Sequence, residues 1–186
     1  MSVYLVLHQN LIHIALFFCE FRDVFTWSYK EIPSTDTSIV EHTINMYPDV
    51  KPVHQQLRLV HPNKSVAIKE EVEKILCAVF IYPIPLNEWV SKIIPVMKNQ
   101  GTIRVCIDYW GVNQACPKEN YPTSFIDQIF DDCARCETFS FMDGFSSYNQ
   151  INIRPYDQHK TTFIYPWGTF AYRKLPFGLN NVGATF

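Results

Sequence analysis

Residues 139–153, FSFMDGFSSYNQINI, constrain the fold of this chain more than any other stretch. They begin with a short apolar run, Phe139–Met142, which predicts a buried strand. Asp143 follows at the carboxyl end of that strand. A carboxylate there is costly to bury unless it is paired, bonded to backbone amides or bound to a hard cation such as Mg²⁺. The same aspartate would also serve as the N-cap of a helix over residues 144–149, and the segment alone leaves both interpretations open.

Two other segments carry motifs that occur in a fixed order with this one. Residues 107–113 are IDYWGVN, and residues 175–186 are LPFGLNNVGATF. Together the three resemble the polymerase region of reverse transcriptases, in particular the Pol polyprotein of plant gypsy-type LTR retrotransposons. That family has the patterns D-[FY]-R-x-L-N, F-S-x-x-D-x-x-S-G-Y-x-Q-I and M-P-F-G-L-x-N-A-x-A-T-F. The likeness extends from about Phe21 to the last residue, so it covers nearly the whole chain.

The resemblance implies an α+β fold of the right-hand polymerase type, comprising the fingers and a partial palm. The palm sheet is expected to be antiparallel, to include Phe139–Met142 and to carry helices on one face. Residues 1–62 are expected to form an N-terminal helix and an extended connecting arm, and residues 63–186 the fingers and partial palm. The implied function is that of an RNA-directed DNA polymerase, which transfers nucleotides onto a primer by two-metal catalysis.

The resemblance also assigns roles to individual residues. Asp143 would be the first catalytic carboxylate, and it would hold Mg²⁺ together with the backbone carbonyl of Gly144. Tyr148 would lie under the nucleotide sugar and select deoxynucleotides by excluding a 2′-hydroxyl. Phe177 and Gly178 would border the pocket for the nucleotide and the template base. The expected partners are therefore deoxynucleoside triphosphates and an RNA or DNA template with its primer, and the expected cofactor is Mg²⁺.

Residues 93–108 predict a β-hairpin with a turn at Asn99–Gly101, because apolar and polar residues alternate on its return strand. Lys98 and Arg104 lie on either side of the tip. In the family, a Lys and an Arg at these positions grip the triphosphate, whose charge needs fixed cations beyond the metal ions. Simple exposure to solvent is the alternative for two basic residues near a turn, and the surrounding motifs favour nucleotide contact.

Three further segments are predicted to be scaffold. A helix over residues 65–80 has an apolar stripe and a supporting ion pair between Glu70 and Lys74. The stripe consists of Ile68, Val72, Ile75, Leu76 and Val79. A helix within residues 122–133 begins with a capping-box pattern at Ser124. Its predicted buried stripe consists of Ile126, Ile129, Phe130 and Cys133. A second hairpin is predicted over residues 161–175, with Phe163, Phe170 and Tyr172 in the core or on the sheet surface.

The sequence departs from the family pattern at several positions. Trp110 stands where an Arg follows Asp-Tyr, and it has neither the charge nor the fork of donors of that Arg. Ser147 stands where Gly is usual, and a positive φ there would strain a side chain. No Tyr-x-Asp-Asp occurs in the 186 residues, which indicates truncation before this motif. Because one carboxylate cannot hold two cations, we expect little or no polymerase activity from this chain alone.

Composition gives only weak guidance about partners. The formal charge of −2 does not predict nucleic-acid binding, although local basic patches are compatible with it. Cys133 and Cys136 have the spacing of metal ligands, but no second cysteine pair or nearby histidine completes a zinc site. Reduced thiols are the expected state. The apolar run Leu11–Phe18 is too short to span a bilayer, so no membrane partner is expected.

Three interpretations remain open. The chain is a fragment of an RNA-directed DNA polymerase, a non-catalytic remnant that binds nucleic acid in a salt-dependent manner, or a relic that cannot fold. The relic would expose strand edges and apolar surface and would aggregate. A hydrolase that uses Asp143 and Asp108 is a fourth possibility with no further support in the sequence.

Overall fold

Short strands from distant parts of the sequence form the main sheet of this computed structural model. The structure describes residues 12–24, 26–85, 87–97, 103–122, 125–134 and 146–186. The helices are α1 (residues 12–20), α2 (Pro62–Cys77), α3 (Trp110–Ala115), α4 (Ile126–Cys133) and α5 (Val182–Thr185). The strands are β1 (Glu41–His42), β2 (Ile81–Pro83), β3 (Ser91–Met97), β4 (Ile103–Ile107), β5 (Asn152–Ile153), β6 (Phe163–Tyr165) and β7 (Gly168–Tyr172). Short 3₁₀ segments lie at Arg22–Val24, Tyr29–Glu31, Ser147–Gln150 and Pro155–Thr161.

The main sheet has the strand order β2-β7-β6-β3-β4. The neighbours β2–β7, β7–β6 and β3–β4 are antiparallel, and β6–β3 is parallel. The sheet is therefore mostly antiparallel, as the resemblance implied. A separate pair, β1 and β5, is parallel. The expected strand Phe139–Met142 lies outside the described residues, so its place in the palm sheet stays a prediction.

Both predicted hairpins are present. In the first, Ile93 pairs with Ile107 and Met97 pairs with Ile103, while the tip at residues 98–102 lies outside the described part. In the second, Phe163 pairs with Phe170. Phe163 and Tyr172 are buried and Phe170 packs against the core, which confirms their predicted place in the core or on the sheet surface.

Helix α2 confirms most of its predicted pattern but is shifted along the chain. It begins at Pro62 and ends at Cys77, and the stripe residues Ile68, Val72 and Ile75 are buried. Val79 lies beyond the helix, is 59% exposed and has φ +62°, so its predicted place on the stripe is wrong. The reason is a helix-ending turn in which the Val79 amide donates to Leu76 O and the Phe80 amide donates to Ile75 O.

The predicted ion pair on α2 is also different in detail. Lys74 Nζ lies 3.2 Å from Glu71 Oε2, three residues back, and Glu70 is not its partner. Glu71 additionally accepts a hydrogen bond from the Tyr29 hydroxyl at 3.1 Å, which ties α2 to the N-terminal arm. Glu71, which contacts both residues, is less exposed than Lys74.

Helix α4 confirms the predicted helix but not its predicted burial. No residue of α4 is buried, and Ile126, Ile129 and Phe130 are exposed, so the predicted buried stripe is wrong. Phe125 occupies the N-cap position and makes no side-chain capping bond, while Ser124 lies outside the described residues. A stripe on a helix is buried only where another element packs on it, and none of the described elements covers this one.

The arm, residues 26–61, packs along the rest of the molecule through backbone hydrogen bonds. The Thr35 amide donates to Gln150 O at 2.9 Å, and the Tyr47 amide donates to Ala115 O at 2.8 Å. At Ile44, the amide donates to the Asp157 carboxylate and the carbonyl accepts from Lys160 Nζ, so a buried ion pair holds both backbone groups. Among the described residues, no helix has the length and apolar character needed to span a membrane.

Candidate functional site

Two of the predicted site residues, Tyr148 and Phe177, are in ring contact. Tyr148 lies in the 3₁₀ segment Ser147–Gln150, and its ring centroid is 6.4 Å from that of Phe177. Phe186 packs on Tyr148 edge-on at 5.0 Å. Phe177 is 79% exposed, while Tyr148 is half-buried. The cluster therefore exposes the Phe177 ring to solvent, while Tyr148 packs against the hydrophobic core.

A short backbone pairing brings these two segments together. Residues 151–153 lie antiparallel to residues 173–175, with the Ile153 amide donating to Arg173 O at 2.8 Å and the Leu175 amide to Ile151 O at 2.9 Å. Tyr148 precedes the first of these segments and Phe177 follows the second. In an antiparallel pair these two positions lie at the same end, which explains why the rings meet.

Gly178 is required by the backbone conformation of the turn that follows Phe177. Its φ is +102°, a value that residues other than glycine rarely adopt. A Cβ built there would lie 3.8 Å from both Ile107 O and Tyr109 Cδ2, an ordinary contact distance. The conformation, and not a lack of space, therefore demands glycine, and the turn lies directly against the end of β4.

Asn113 fixes this turn to helix α3, and sequence reasoning had given it no role. Its Nδ2 donates to Gly178 O at 2.8 Å, and its Oδ1 accepts from the Asn180 amide at 2.8 Å. Asn180 Nδ2 in turn donates to Asn113 O at 2.9 Å. The sequence feature that could have indicated this role is that Asn113 and Asn180 are amide residues within two of the motifs, IDYWGVN and LPFGLNN. A side-chain amide both donates and accepts hydrogen bonds, so two of them can join a helix to a turn.

Arg104 lies on β4 opposite Val96 and is exposed. Burial and the nearby Glu71 carboxylate raise the pKa of the Tyr29 hydroxyl, and a hydrogen bond from Ser146 and the positive charge of Arg104 oppose that rise. Arg104 and Ser146 are thus both near Tyr29. Since Ser146 directly precedes the 3₁₀ segment that contains Tyr148, Tyr29 is a residue that both Arg104 and the start of this segment influence.

A left-handed backbone conformation occurs at Ser146 and not at Ser147. Ser146 has φ +48°, whereas Ser147 begins the 3₁₀ segment and is not among the residues with positive φ. The condition under which a side chain at Ser147 would be strained, a positive φ, is therefore not met. Ser146 is the residue that holds the left-handed conformation, which costs a side-chain-bearing residue more than glycine.

Asp108 has structural partners on both carboxylate oxygens. Its Oδ1 accepts from the Trp110 amide at 3.2 Å at the start of α3, and its Oδ2 lies 3.5 Å from Lys92 Nζ. Its backbone carbonyl accepts from Gln55 Nε2 at 3.1 Å. These contacts account for the residue as a helix-capping and ion-pairing group, and they give no support to a hydrolase that uses Asp108.

Several predicted site residues lie outside the described part of the chain: Lys98, Asp143 and Gly144. Their roles, and the alternative of Asp143 as a helix N-cap, stay predictions. Within the described ranges, no group of three or more His, Cys, Asp or Glu residues is placed to hold a metal ion. Cys136 also falls outside those ranges, so the cysteine pair with metal-like spacing is not tested.

Comparison with known proteins finds sequence relatives named as a polymerase homolog and as transposon polyproteins. An RNA-directed DNA polymerase homolog from Oenothera berteroana is 39% identical over 85 residues, which are 46% of this chain and 60% of the relative. The retrovirus-related Pol polyprotein of transposon 297 from Drosophila melanogaster is 26% identical over 163 residues, which are 85% of this chain and 15% of the polyprotein. The chain thus spans less than two thirds of the length of either relative. No family model matches it.

Solved structures agree with this relationship at the level of the fold. The protease-reverse transcriptase of prototype foamy virus matches 96% of this chain with a TM-score of 0.75 at 19% identity, over 24% of the viral chain. A foamy viral protease-reverse transcriptase in complex with an RNA/DNA hybrid matches 83% of this chain with a TM-score of 0.62 at 17% identity, over 21% of its own length. In sequence this chain is therefore similar to an RNA-directed DNA polymerase homolog and to a retrovirus-related Pol polyprotein, and in fold it is similar to foamy viral protease-reverse transcriptases.

Proposed function

We propose that this chain is the nucleotide- and template-binding part of an RNA-directed DNA polymerase. The observation that carries the proposal is the contact between Tyr148 and Phe177, with the Gly178 turn fixed against the end of β4. These residues come from separate motifs, and the pairing of residues 151–153 with residues 173–175 brings them together. A surface with exposed aromatic rings and a nearby guanidinium suits a ligand that has both a flat base and a charged phosphate.

In this proposal each described site residue acts on a different part of the nucleotide. The Tyr148 ring lies under the sugar, Arg104 binds the triphosphate, and the Phe177–Gly178 turn borders the base. Lys98, Asp143 and Gly144 belong to the same proposal but lie outside the described residues. Mg²⁺, when held by Asp143 and the Gly144 carbonyl, would neutralise phosphate charge at this place. The assignment to gypsy-type elements remains part of the proposal.

The proposed macromolecular ligand is a primer annealed to an RNA or DNA template. The foamy viral neighbours were solved with double-stranded DNA and with an RNA/DNA hybrid, which supports this choice. Since the whole chain has a formal charge of −2, its overall charge does not attract a polyanion, and phosphate binding in this proposal depends on local cations such as Arg104. We therefore expect a shallow dependence of affinity on salt, with a slope that reflects only a few phosphate contacts.

Substitution of Arg104 tests this binding mode. The affinity of a fluorescently labelled RNA–DNA primer–template is measured by anisotropy at several salt concentrations. We expect Arg104→Ala to bind more weakly and to lower the slope of log K against log salt by about one contact. Lys69→Ala is the charge-matched control. Lys69 is a residue of α2, and its Nζ lies over the ring of Trp167, which has no role in the proposed site. Equal slopes for the wild type and Arg104→Ala would contradict the assigned role of Arg104.

We expect the 186-residue polypeptide by itself to bind this ligand without extending the primer. The sequence contains no Tyr-x-Asp-Asp, and Asp143 alone would not hold two metal ions. A primer-extension assay with Mg²⁺ checks this, and templated synthesis by the isolated polypeptide would show the expectation to be wrong. Cooperative thermal melting of a soluble monomer would exclude the alternative of a relic that cannot fold.

A further inference from the structure

The side-chain amide of Gln55, a residue of the arm, lies between the two strands of the β3–β4 hairpin at its base. The Lys92 amide, near the start of β3, donates to Gln55 Oε1 at 3.0 Å. Gln55 Nε2 donates to Asp108 O at 3.1 Å, directly after the end of β4. One side chain of the arm therefore contacts the backbone of both strands.

This bridge takes the place of one bond in the antiparallel pairing. Where two opposite residues exchange hydrogen bonds, each amide donates to the carbonyl across from it. Lys92 and Asp108 are the next pair after Ile93 and Ile107, and the Asp108 amide donates to Lys92 O at 3.0 Å. The Lys92 amide, however, donates to Gln55, and Gln55 donates to Asp108 O. The inserted amide therefore separates the two strands on that side.

Gln55 is held in this place by its backbone as well as by its side chain. Its amide donates to Val90 O at 2.8 Å, and the Val90 amide donates to Val53 O at 3.2 Å. The side chain is half-buried. Because both ends of the residue are bonded, the amide has a defined position, and the angle at which the two strands diverge is defined with it.

The base of the hairpin joins two parts of the proposed site. Arg104 is four residues before Asp108, a distance of about 13 Å along an extended strand. The Gly178 turn lies against the end of β4, since a Cβ built at Gly178 would be 3.8 Å from Ile107 O. A change in the angle between the strands at their base therefore moves Arg104 relative to the Gly178 turn.

We propose that Gln55 is a positioning residue, which sets the direction of the β3–β4 hairpin so that Arg104 reaches the phosphates of a ligand bound at the Phe177–Gly178 turn. The inference rests on the proposed function, in which Arg104 binds phosphate. Gln55 is neutral and acts through the backbone of Lys92 and Asp108, so it adds no phosphate contact of its own. Its replacement should remove the contribution of Arg104 and leave the other contacts in place.

A double-mutant cycle on ligand affinity tests this coupling. The affinity of the labelled RNA–DNA primer–template is measured by anisotropy at several salt concentrations. Gln55→Met keeps a side chain of similar length but removes the amide. We expect it to lower the slope of log K against log salt by about one contact, as Arg104→Ala does. The double variant should show no further fall, because both substitutions remove the same contact.

The control is Gln158→Met, the same substitution at another half-buried glutamine, whose Nε2 donates to Ile153 O at 3.0 Å. It should leave the slope unchanged. Thermal melting of each variant establishes that it is folded. If Gln55→Met does not melt cooperatively, Gln55→Asn provides the test, since its amide is one carbon shorter and cannot reach both strands. The same lower slope is expected for Gln55→Asn.

The possible results separate this inference from the proposed function. A purely structural role for Gln55 would lower the melting temperature and leave the slope at the wild-type value, while Arg104→Ala still lowers it. That result, or additive losses in the double variant, would overturn the inference and leave the proposed function standing. If the wild type does not bind the primer–template, or if Arg104→Ala binds it with the wild-type slope, the proposed binding mode fails and the inference fails with it.

Discussion

At the scale of single residues, Val79 holds a backbone conformation that β-branched side chains rarely adopt. Its φ of +62° closes the turn that ends α2, where glycine is the usual residue. The side chain is largely exposed, so it gains little from packing in return for this strain. The two hydrogen bonds of the turn depend on the backbone and not on the side chain.

Replacement of Val79 by glycine should therefore stabilise the protein. We expect Val79→Gly to raise the free energy of unfolding by about 1 kcal/mol, because the left-handed conformation costs glycine almost nothing. Urea unfolding followed by circular dichroism measures the change. The control, Val79→Ala, keeps a Cβ in the same conformation and should give a smaller gain. A less stable glycine variant would mean that the lost side-chain contacts outweigh the strain.

Val79 also illustrates what a sequence pattern can and cannot predict about individual residues. The apolar period correctly identified Ile68, Val72 and Ile75 as buried, because the spacing of side chains around a helix follows from its geometry. The same period placed Val79 on the stripe, because apolar spacing carries no information about where the backbone turns left-handed. The partner of Lys74 was likewise missed, since positions three and four residues back are both within reach.

At the scale of secondary-structure elements, α3 and the arm approach each other too closely for any side chain at Gly111. A Cβ built at Gly111 would lie 2.9 Å from Val53 Cβ, which is shorter than real carbon contacts. Gly111 is buried in α3, and Val53 belongs to the arm segment that bonds to Val90. The absence of a side chain at Gly111 thus permits the arm to lie against the helix that carries Trp110.

Gly111→Ala should accordingly destabilise the protein by about 1–3 kcal/mol through overpacking, although alanine favours helix formation more than glycine does. Val53→Gly in the same chain removes the atom that clashes and should restore part of the loss. Val53→Ala keeps that atom and should restore less. A double-mutant cycle from urea unfolding measures the coupling energy. Independent, additive effects of the Gly111 and Val53 substitutions would contradict the contact.

Helix α4 shows why an element is easier to predict than its surroundings. Its apolar spacing correctly predicted a helix, but the sequence of the helix does not show which other element, if any, packs on its apolar face. The two hairpins were predictable because their strands are joined by short turns, whereas the pairing of β3 with β6 and of β2 with β7 joins distant segments. The ring contact between Tyr148 and Phe177 depends on such long-range pairing, so the motifs named the residues without giving their geometry.

At the scale of the whole molecule, buried polar groups hold the arm against the C-terminal part of the chain. His42 is 2% exposed, and its Nδ1 lies 2.8 Å from Thr185 Oγ1. Burial lowers the pKa of His42 below its ordinary value, and the negative charge of Asp157 only partly opposes this shift. His42 therefore folds preferentially in its neutral form.

The lowered pKa of His42 predicts the direction in which stability changes with pH. Above about pH 6.5, the ordinary value for histidine, His42 is neutral in both states and its contribution to stability is fully present. As the pH falls below that value, the unfolded chain binds a proton first and the folded state loses stability. We expect the urea midpoint to fall between about pH 7 and pH 5, and His42→Gln to show a shallower fall. Equal slopes for the two proteins would rule out His42 as the source.

The position of the β6–β7 hairpin in the main sheet has a consequence for how the chain is made. The hairpin lies between β2 and β3, which are neighbours in sequence and leave the ribosome long before it. Until residues 163–172 emerge, both of these earlier strands have an inner edge without its partner. A nascent chain with such edges is prone to pair with other chains, and chaperones normally cover them during synthesis. The main sheet is therefore completed only after residues 163–172 have been made, when this hairpin joins β2 to the pair β3 and β4.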